Sequence, residues 1–298
     1  MHVSLISSFD PWQNGSCTCP KKLTFNPYTG CDHNCVYCYA SSYVVGFSEC
    51  KPKKDLLERL RREAPKLKGE VVSLSNSSDP YPKTEQYTGL TRRCLEILVD
   101  NNCCIQIITK SNLVVRDDDL LKQASSTVAF TITTDDDQIA KILEPNAPLP
   151  SQRLSAAEDL ISQGIPVSVR IDPLIPFVND QPQKLVKTLS AIGVKHITCS
   201  TYKAKPDNWK RLTAVVLPSV AEKLETLYFK EGERMGGNIL LHRDLRLKIL
   251  KDMRDLVIAE GLTFSCCREG LERLNTAVCD GSELLSKVNS NGVNGGVV

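Results

Sequence analysis

No apolar run in this sequence approaches the ~20 residues that a bilayer-crossing helix needs, which excludes a membrane-spanning helix. Charge of one sign is not in excess either: 37 basic and 35 acidic side chains leave a net +2 over 298 residues. No global field therefore draws the chain to nucleic acid or lipid, and such a partner must be met by a local patch. The opening MHVSLISSFDPWQNG lacks the basic stretch and long apolar run of a secretory signal, and no repeat of solenoid length recurs. The expectation is a soluble, cytoplasmic protein with no membrane partner. Cysteine is what the sequence has in quantity, 13 in all. Reducing compartments suppress disulfides, so clustered thiols there point to metal or catalysis, and an odd total argues against complete pairing.

Short apolar or alternating runs recur at KLTFN, Val71–Ser75, Cys104–Thr109, Thr127–Thr133, Val167–Ile171 and Lys195–Ser200. Helical stretches lie among them, at Lys54–Leu67, Thr91–Asp100 and Ser155–Gln163. Strands alternating with helices imply right-handed βαβ units and a parallel sheet. VSVRID puts Val167, Val169 and Ile171 on one face and Ser168, Arg170 and Asp172 on the other; in FTIT, Thr131 and Thr133 oppose Phe130 and Ile132. A strand covered by helices on both sides would be apolar throughout, so one face looks into something polar. A curved sheet with helices outside and a polar lumen accounts for this and predicts a barrel that holds a polar ligand. After Ser200 longer helices are expected, roughly Ser219–Glu231 and His242–Glu260, the second with Leu245, Ile249, Met253, Leu256 and Val257 at helical spacing. The expected division is an N-terminal segment 1–22, a barrel 23–200, a C-terminal extension 201–288 and a flexible tail 289–298.

The stretch NPYTGCDHNCVYCYA sets Cys31, Cys35 and Cys38 at offsets of four and three directly after the first strand of this repeat. A cubane of four irons wants four ligands; three thiolates would leave one iron open to a small molecule, as an open position marks a catalytic zinc site. The plainer reading is a structural zinc held by Cys35, Cys38 and two other ligands, His33 or Cys31 among them.

In this context the motif resembles the radical S-adenosylmethionine (radical SAM) superfamily, and within it the spore photoproduct lyase-like branch. SNSSDPYPKTE, TRRCLEIL, IITKSN, ILEPNAP, RIDPLIP, CCREGL and CDGSELL extend the likeness over most of Leu23 to Leu285. The resemblance implies a partial (β/α)6 barrel of the TIM type, an α/β fold, with a mostly helical C-terminal extension. It implies that Cys31, Cys35 and Cys38 bind a 4Fe-4S cluster whose open iron takes the amino and carboxylate groups of S-adenosylmethionine (SAM). Reductive cleavage would then yield methionine and a 5′-deoxyadenosyl radical that abstracts hydrogen from substrate. Further cofactor contacts carry over to Tyr37 beside the adenine, Lys110 facing the methionine carboxylate, the hydroxyls of Ser78 and Thr131, and the backbone of Asp172; Tyr39 anchors the turn or adds a second ring. The lyase's hydrogen-donating cysteine corresponds here to Asn76, and an amide cannot donate a hydrogen atom as a thiol can. That departure argues against the lyase reaction itself and leaves the catalytic residues that act on the substrate unassigned.

Cys17 and Cys19 in SCTC, Cys266 and Cys267 in SCC, and Cys279 in VCDGS lie near the two ends of the sequence. Four of these five would satisfy a second iron–sulfur cluster or a zinc ion. Cys94, Cys199, Cys103 and Cys104 read as small buried hydrophobes. The leading expectation is an enzyme modifying a macromolecule, nucleic acid or protein, fed by an electron donor of the ferredoxin or flavodoxin kind. The basic runs KPKK, RLRRE and HRDLRLK are compatible with phosphate contact. The competing expectation is a non-catalytic iron–sulfur or zinc protein serving electron transfer or structure.

Overall fold

A computed structural model describes residues 5–9, 17–75 and 77–287. Asn76 and the tail 289–298 fall outside them. Strand propensity and parity, as read above, produce one sheet of eight strands in sequence order: β1 (Ser7–Ser8), β2 (Leu23–Phe25), β3 (Val71–Leu74), β4 (Cys104–Thr109), β5 (Ser126–Thr131), β6 (Val167–Leu174), β7 (His196–Thr201) and β8 (Thr263–Cys266). β1 runs antiparallel to β2, and every later pairing is parallel. The described fold is thus a partial α/β barrel, open between β1–β2 and β8.

Helices cover the outer face because their apolar residues recur at helical spacing. In α1 (Leu56–Glu63), Leu56 and Leu60 are buried. In α2 (Leu90–Asp100), Thr91, Cys94, Leu95 and Leu98 are buried on one side. Val72, Ile105, Phe130 and Val169 from the strands share that core with Leu95 and Leu98, and each such side chain removed from water stabilises the fold by roughly 1.5–3 kcal/mol. Cys94, Cys103 and Cys199 lie in the same core, as small hydrophobes do. The next crossovers use α3 (Asp118–Gln123), α4 (Asp137–Leu143), α5 (Pro150–Ser162) and α6 (Gln183–Ala191). Asp136 caps α4, accepting from the N–H groups of Gln138 and Ile139 at 2.7 and 3.1 Å.

Beyond residue 200 come α7 (Pro206–Thr213), α8 (Pro218–Glu225), which runs on into a π-helical turn Thr226–Lys230, and α9 (Arg243–Ala259). This region is mostly helical, yet it returns a strand, β8, to the sheet beside β7. The buried stripe of α9 holds Leu250, Met253 and Val257, and with them Arg246. Arg246 pairs with the carboxylates of Glu269, at 3.2 Å, and Glu233. One cation of HRDLRLK is therefore a structural ion pair and no surface contact for phosphate. A second core packs this region onto the cysteine loop: Tyr202, Leu212, Leu224 and Tyr228 meet Cys35, Val36 and Tyr37.

The lumen is polar as parity predicts, but the chain itself fills its lower half. The segment after Asn275 crosses the N-terminal ends of the strands. There the carbonyl of Cys279 accepts from the hydroxyls of Thr198 at 2.8 Å and Ser265 at 2.7 Å, and that of Asp280 accepts from the Gln106 amide at 3.0 Å. Lys22, buried at the same level, pairs with Asp280 and donates to Gln106 at 2.7 Å. Gly281 is needed for this close approach: it has φ +70, and a Cβ would stand 3.1 Å from the Ser168 side chain. A polar ligand is left the upper half, at the C-terminal ends of the strands.

Candidate active site

Local backbone chemistry and distant side chains together shape the loop of Cys31, Cys35 and Cys38. Gly30 adopts φ +80, where a Cβ would stand 2.5 and 2.6 Å from the carbonyl oxygens of Glu49 and Phe47. Only glycine lets the chain turn there, after which the Cys31 N–H donates to Phe47 O at 2.7 Å. The Arg211 guanidinium, from α7, donates to Cys35 O at 2.7 Å and to Cys38 O at 2.8 Å. Asn208 donates to Tyr37 O at 3.2 Å, and the Val36 N–H to Leu143 O at 2.9 Å. The loop carbonyls that its tight winding leaves over are satisfied from elements far along the chain.

All three thiol residues line a cavity of about 830 Å³ at the C-terminal mouth of the barrel, within the size range of small-molecule sites. Burial pushes the Cys35 thiol up to about 12, with Lys110 pulling the other way. Burial and then Asp79 likewise raise Cys31. Metal must displace these protons, so binding favours higher pH. His33 lines the same cavity, its buried ring held with Nδ1 3.5 Å from the Asp79 carboxylate.

Tyr37, Lys110, Tyr39, Ser78, Thr131 and Asp172 all lie on the wall of this cavity. Tyr37 is buried, its hydroxyl donating to Glu144, which also meets Arg153 at 2.5 Å. Burial would raise the Glu144 carboxyl, but Arg153 and Lys110 outweigh it and hold it below the usual range. Lys110 Nζ lies 5.6 Å from the Tyr37 ring centroid. Its own burial would lower it, yet Cys35 and Glu144 keep it above the ordinary lysine value and charged. Tyr39 is 37 % exposed, its ring 6.0 Å from Tyr43. Ser78 Oγ donates to Tyr28 O at 3.3 Å, and Thr131 is buried at the end of β5. The Asp172 carboxylate is already engaged by Arg170 at 2.6 Å and by the Ser200 hydroxyl. Burial would raise it, and Arg170 and Lys203 hold it low.

Of the five remaining cysteines, four come together. Cys17, Cys19 and Cys267 line one cavity wall with Lys22 and Asp280, and the thiols of Cys17 and Cys19, Cys19 and Cys279, and Cys279 and Cys267 influence one another as neighbours. Cys266 does not join them. Side chains alternate along β8, so Ser265 faces the lumen while Phe264 and Cys266 enter the helix-covered core with Cys199. Among the described residues, no three His, Cys, Asp or Glu side chains are already arranged around a metal position. This is equally true of the loop trio, so in both places sulfurs must turn toward an incoming metal.

The sequence model of the radical SAM superfamily matches residues 25–189, more than half of the chain. The chain belongs to the radical SAM superfamily. It is 33 % identical over 166 residues to an uncharacterised protein of Methanocaldococcus jannaschii, covering 53 % of this chain and 62 % of that one. It is 26 % identical over 194 residues to an uncharacterised protein of Mycobacterium tuberculosis, covering 60 % and 57 %. A Pseudomonas phage M6 protein named radical SAM Nα-GlyT isomerase is 22 % identical over 255 residues, covering 82 % and 53 %. This radical SAM chain thus spans about three fifths or less of the length of these curated relatives. Among solved structures, a spore photoproduct lyase variant with bound AdoMet and dinucleoside spore photoproduct superposes with a TM-score of 0.59 at 15 % identity, covering 80 % of this chain and 72 % of that one. SuiB of Streptococcus suis bound to S-adenosylmethionine gives 0.54 at 15 % identity, covering 82 % and 49 %. Likeness at that identity speaks to fold.

Radical SAM membership is membership of an enzyme class whose cofactors are a 4Fe-4S cluster and SAM. The residues present fit both. Three thiols of one loop open on the cavity, and Ser75 Oγ, buried on the same wall, has no hydrogen-bond partner, the condition of a polar group built to meet a ligand. Arg211, Asn208, Glu144, Arg153 and Ser75 escaped the reading of the sequence. Glu144 and Ser75 lay inside quoted motifs, ILEPNAP and SNSSDPYPKTE, without being singled out. Arg211 reads as one more charge on a helix face, which is ordinarily solvated.

Proposed function

We propose that this protein is a radical SAM enzyme that modifies a macromolecule, with nucleic acid the substrate class its fold suits best. The observation that carries the reading is Cys31, Cys35 and Cys38 on one wall of the barrel mouth with the charged Lys110 and the buried Tyr37 beside them. The cluster and SAM, when bound, supply one-electron reductive cleavage of the sulfonium to a 5′-deoxyadenosyl radical. The chain's residues do the holding. The three cysteines give thiolates, and Arg211 fixes the spacing of Cys35 and Cys38. Lys110 offsets a carboxylate charge, and Tyr37, clamped by Glu144, offers a ring face to a base. Ser75, Ser78 and Thr131 offer hydroxyls, and Asp172 its backbone.

Six basic side chains, Lys22, Lys110, Arg170, Lys203, Arg211 and Arg268, line the cavity against four acidic ones. Most of these are already paired, Lys22 with Asp280, Arg170 with Asp172, Lys203 with Glu269 and Arg211 with Asp207, so the case for a phosphate-bearing substrate rests on the likeness to the lyase fold. Asn76 in place of a thiol supports a reaction other than that of the lyase. An electron donor of the ferredoxin or flavodoxin kind completes the system.

The test is anaerobic reconstitution with iron and sulfide, followed by reduction with SAM. We expect 5′-deoxyadenosine to form, to vanish in Cys35→Ala and to persist in Cys266→Ala. No 5′-deoxyadenosine from protein holding about four irons would leave the non-catalytic reading standing. Deuterium passing from a nucleic acid into 5′-deoxyadenosine identifies the substrate.

A further inference from the structure

The barrel is open, and its two free edges are where the second group of thiols gathers. Cys17 and Cys19 precede β2 at one edge, and Cys267 follows β8 at the other. Cys279 belongs to the segment that fills the lower lumen between them. Two of the four are pinned by their backbone: the Cys267 N–H donates to Cys199 O at 2.8 Å, and the Cys279 carbonyl takes the hydroxyls of Thr198 and Ser265. Cys17, Cys19 and Cys267 stand on one cavity wall with Lys22 and Asp280, and Cys279, next to Asp280, turns its thiol toward Cys266 O at 3.5 Å; the four follow one another as neighbours in the order Cys17, Cys19, Cys279, Cys267.

We propose that Cys17, Cys19, Cys267 and Cys279 form a closed four-thiolate site for a single zinc ion, which fastens the two edges of the open barrel to each other and to the segment beneath it. A lone tetrahedral ion needs four sulfurs that can be drawn close together, and these four already follow one another as neighbours. A cubane spreads its cysteines apart around its own irons. With all four positions filled by protein, the ion is structural and has no vacancy for substrate. Zinc(II) bound by four thiolates leaves two negative charges. The cations beside the site are Arg170, near Cys267, and Lys22, near Cys19, each shared with a carboxylate, Asp172 and Asp280. Binding releases the thiol protons to solvent and changes no oxidation state. Cys266 takes no part, since strand parity turns it into the apolar core. The site uses none of the loop thiols, although Cys17, Cys19 and Cys267 line the same cavity as they do.

The test begins from a variant that lacks the loop thiols, Cys31→Ala/Cys35→Ala/Cys38→Ala, so that metal bound there cannot confuse the result. We expect about one zinc per chain in elemental analysis, with four sulfurs around it in X-ray absorption. Adding Cys19→Ala and Cys279→Ala should lower the content at least about tenfold, and adding Cys266→Ala should leave it unchanged. Differential alkylation of the unsubstituted chain, read by mass spectrometry, does not depend on a variant folding. Cys17, Cys19 and Cys267 are only partly buried, so they should be protected together and become reactive together when a zinc chelator is added. The proposal fails if the triple variant holds no zinc or an iron–sulfur cluster instead, if Cys19→Ala/Cys279→Ala keeps the zinc, or if chelation leaves alkylation of these thiols unchanged.

Discussion

A single hydrogen atom's worth of space at Gly30 decides whether Cys31 reaches its place. Any side chain there meets two backbone carbonyls at 2.5 and 2.6 Å, and neither carbonyl is a flexible tip that can swing away. Gly30→Ala should cost about 1–3 kcal/mol from the positive φ alone, and should lower iron uptake on reconstitution more than it lowers the urea midpoint. An unchanged iron content would show that the loop reshapes freely. At this scale the site was legible where its parts are close in sequence: three cysteines and their tyrosines form one short run, and the lysine directly follows a strand. It was not legible where a partner comes from afar. Arg211 sits 176 residues from Cys35, and nothing local distinguishes it from the other charges of α7.

Among the elements, strand parity carried most of the information. The alternation in VSVRID correctly foretold a polar inner face, since Val167, Val169 and Ile171 enter the outer core and Arg170 and Asp172 line the cavity. β8 escaped notice because four residues, TFSC, after a 17-residue helix carry too short a pattern. Missing that strand also hid the parity that separates Cys266 from Cys267. The segment that closes the lower lumen was equally invisible, because its contacts are carbonyls and an ion pair, which have no apolar period. Its contribution is measurable. Lys22 and Asp280 have side chains 1 % and 2 % exposed, so Asp280→Ala leaves an ammonium buried without its counter-charge and should cost about 3–5 kcal/mol in urea unfolding. Lys22→Met added to Asp280→Ala should recover much of that loss. If the double variant is no more stable than the single one, the pair is not the anchor of this segment.

For the whole molecule, acid is the condition that probes the filled lumen. His196 is fully buried, its ring bonded to Thr263 at 2.9 Å, Ser265 at 3.0 Å and Thr198 at 3.1 Å. Burial pushes its imidazole from 6.5 down to about 4, with Arg170 adding to the effect and Asp280 opposing it. The unfolded chain therefore binds a proton that the folded chain refuses between these values. Stability is full above pH 6.5 and falls as pH drops toward 4, by up to about 1.4 kcal/mol per pH unit and about 3 kcal/mol in all. His196→Gln should flatten the urea midpoint against pH across that window. An unaltered slope would assign the acid sensitivity to the carboxylates held low by cations, Glu144 and Asp172 among them. A vessel stoppered at its base by its own backbone has no through-passage: whatever the cavity holds must enter and leave above the level of Cys279 and Asp280.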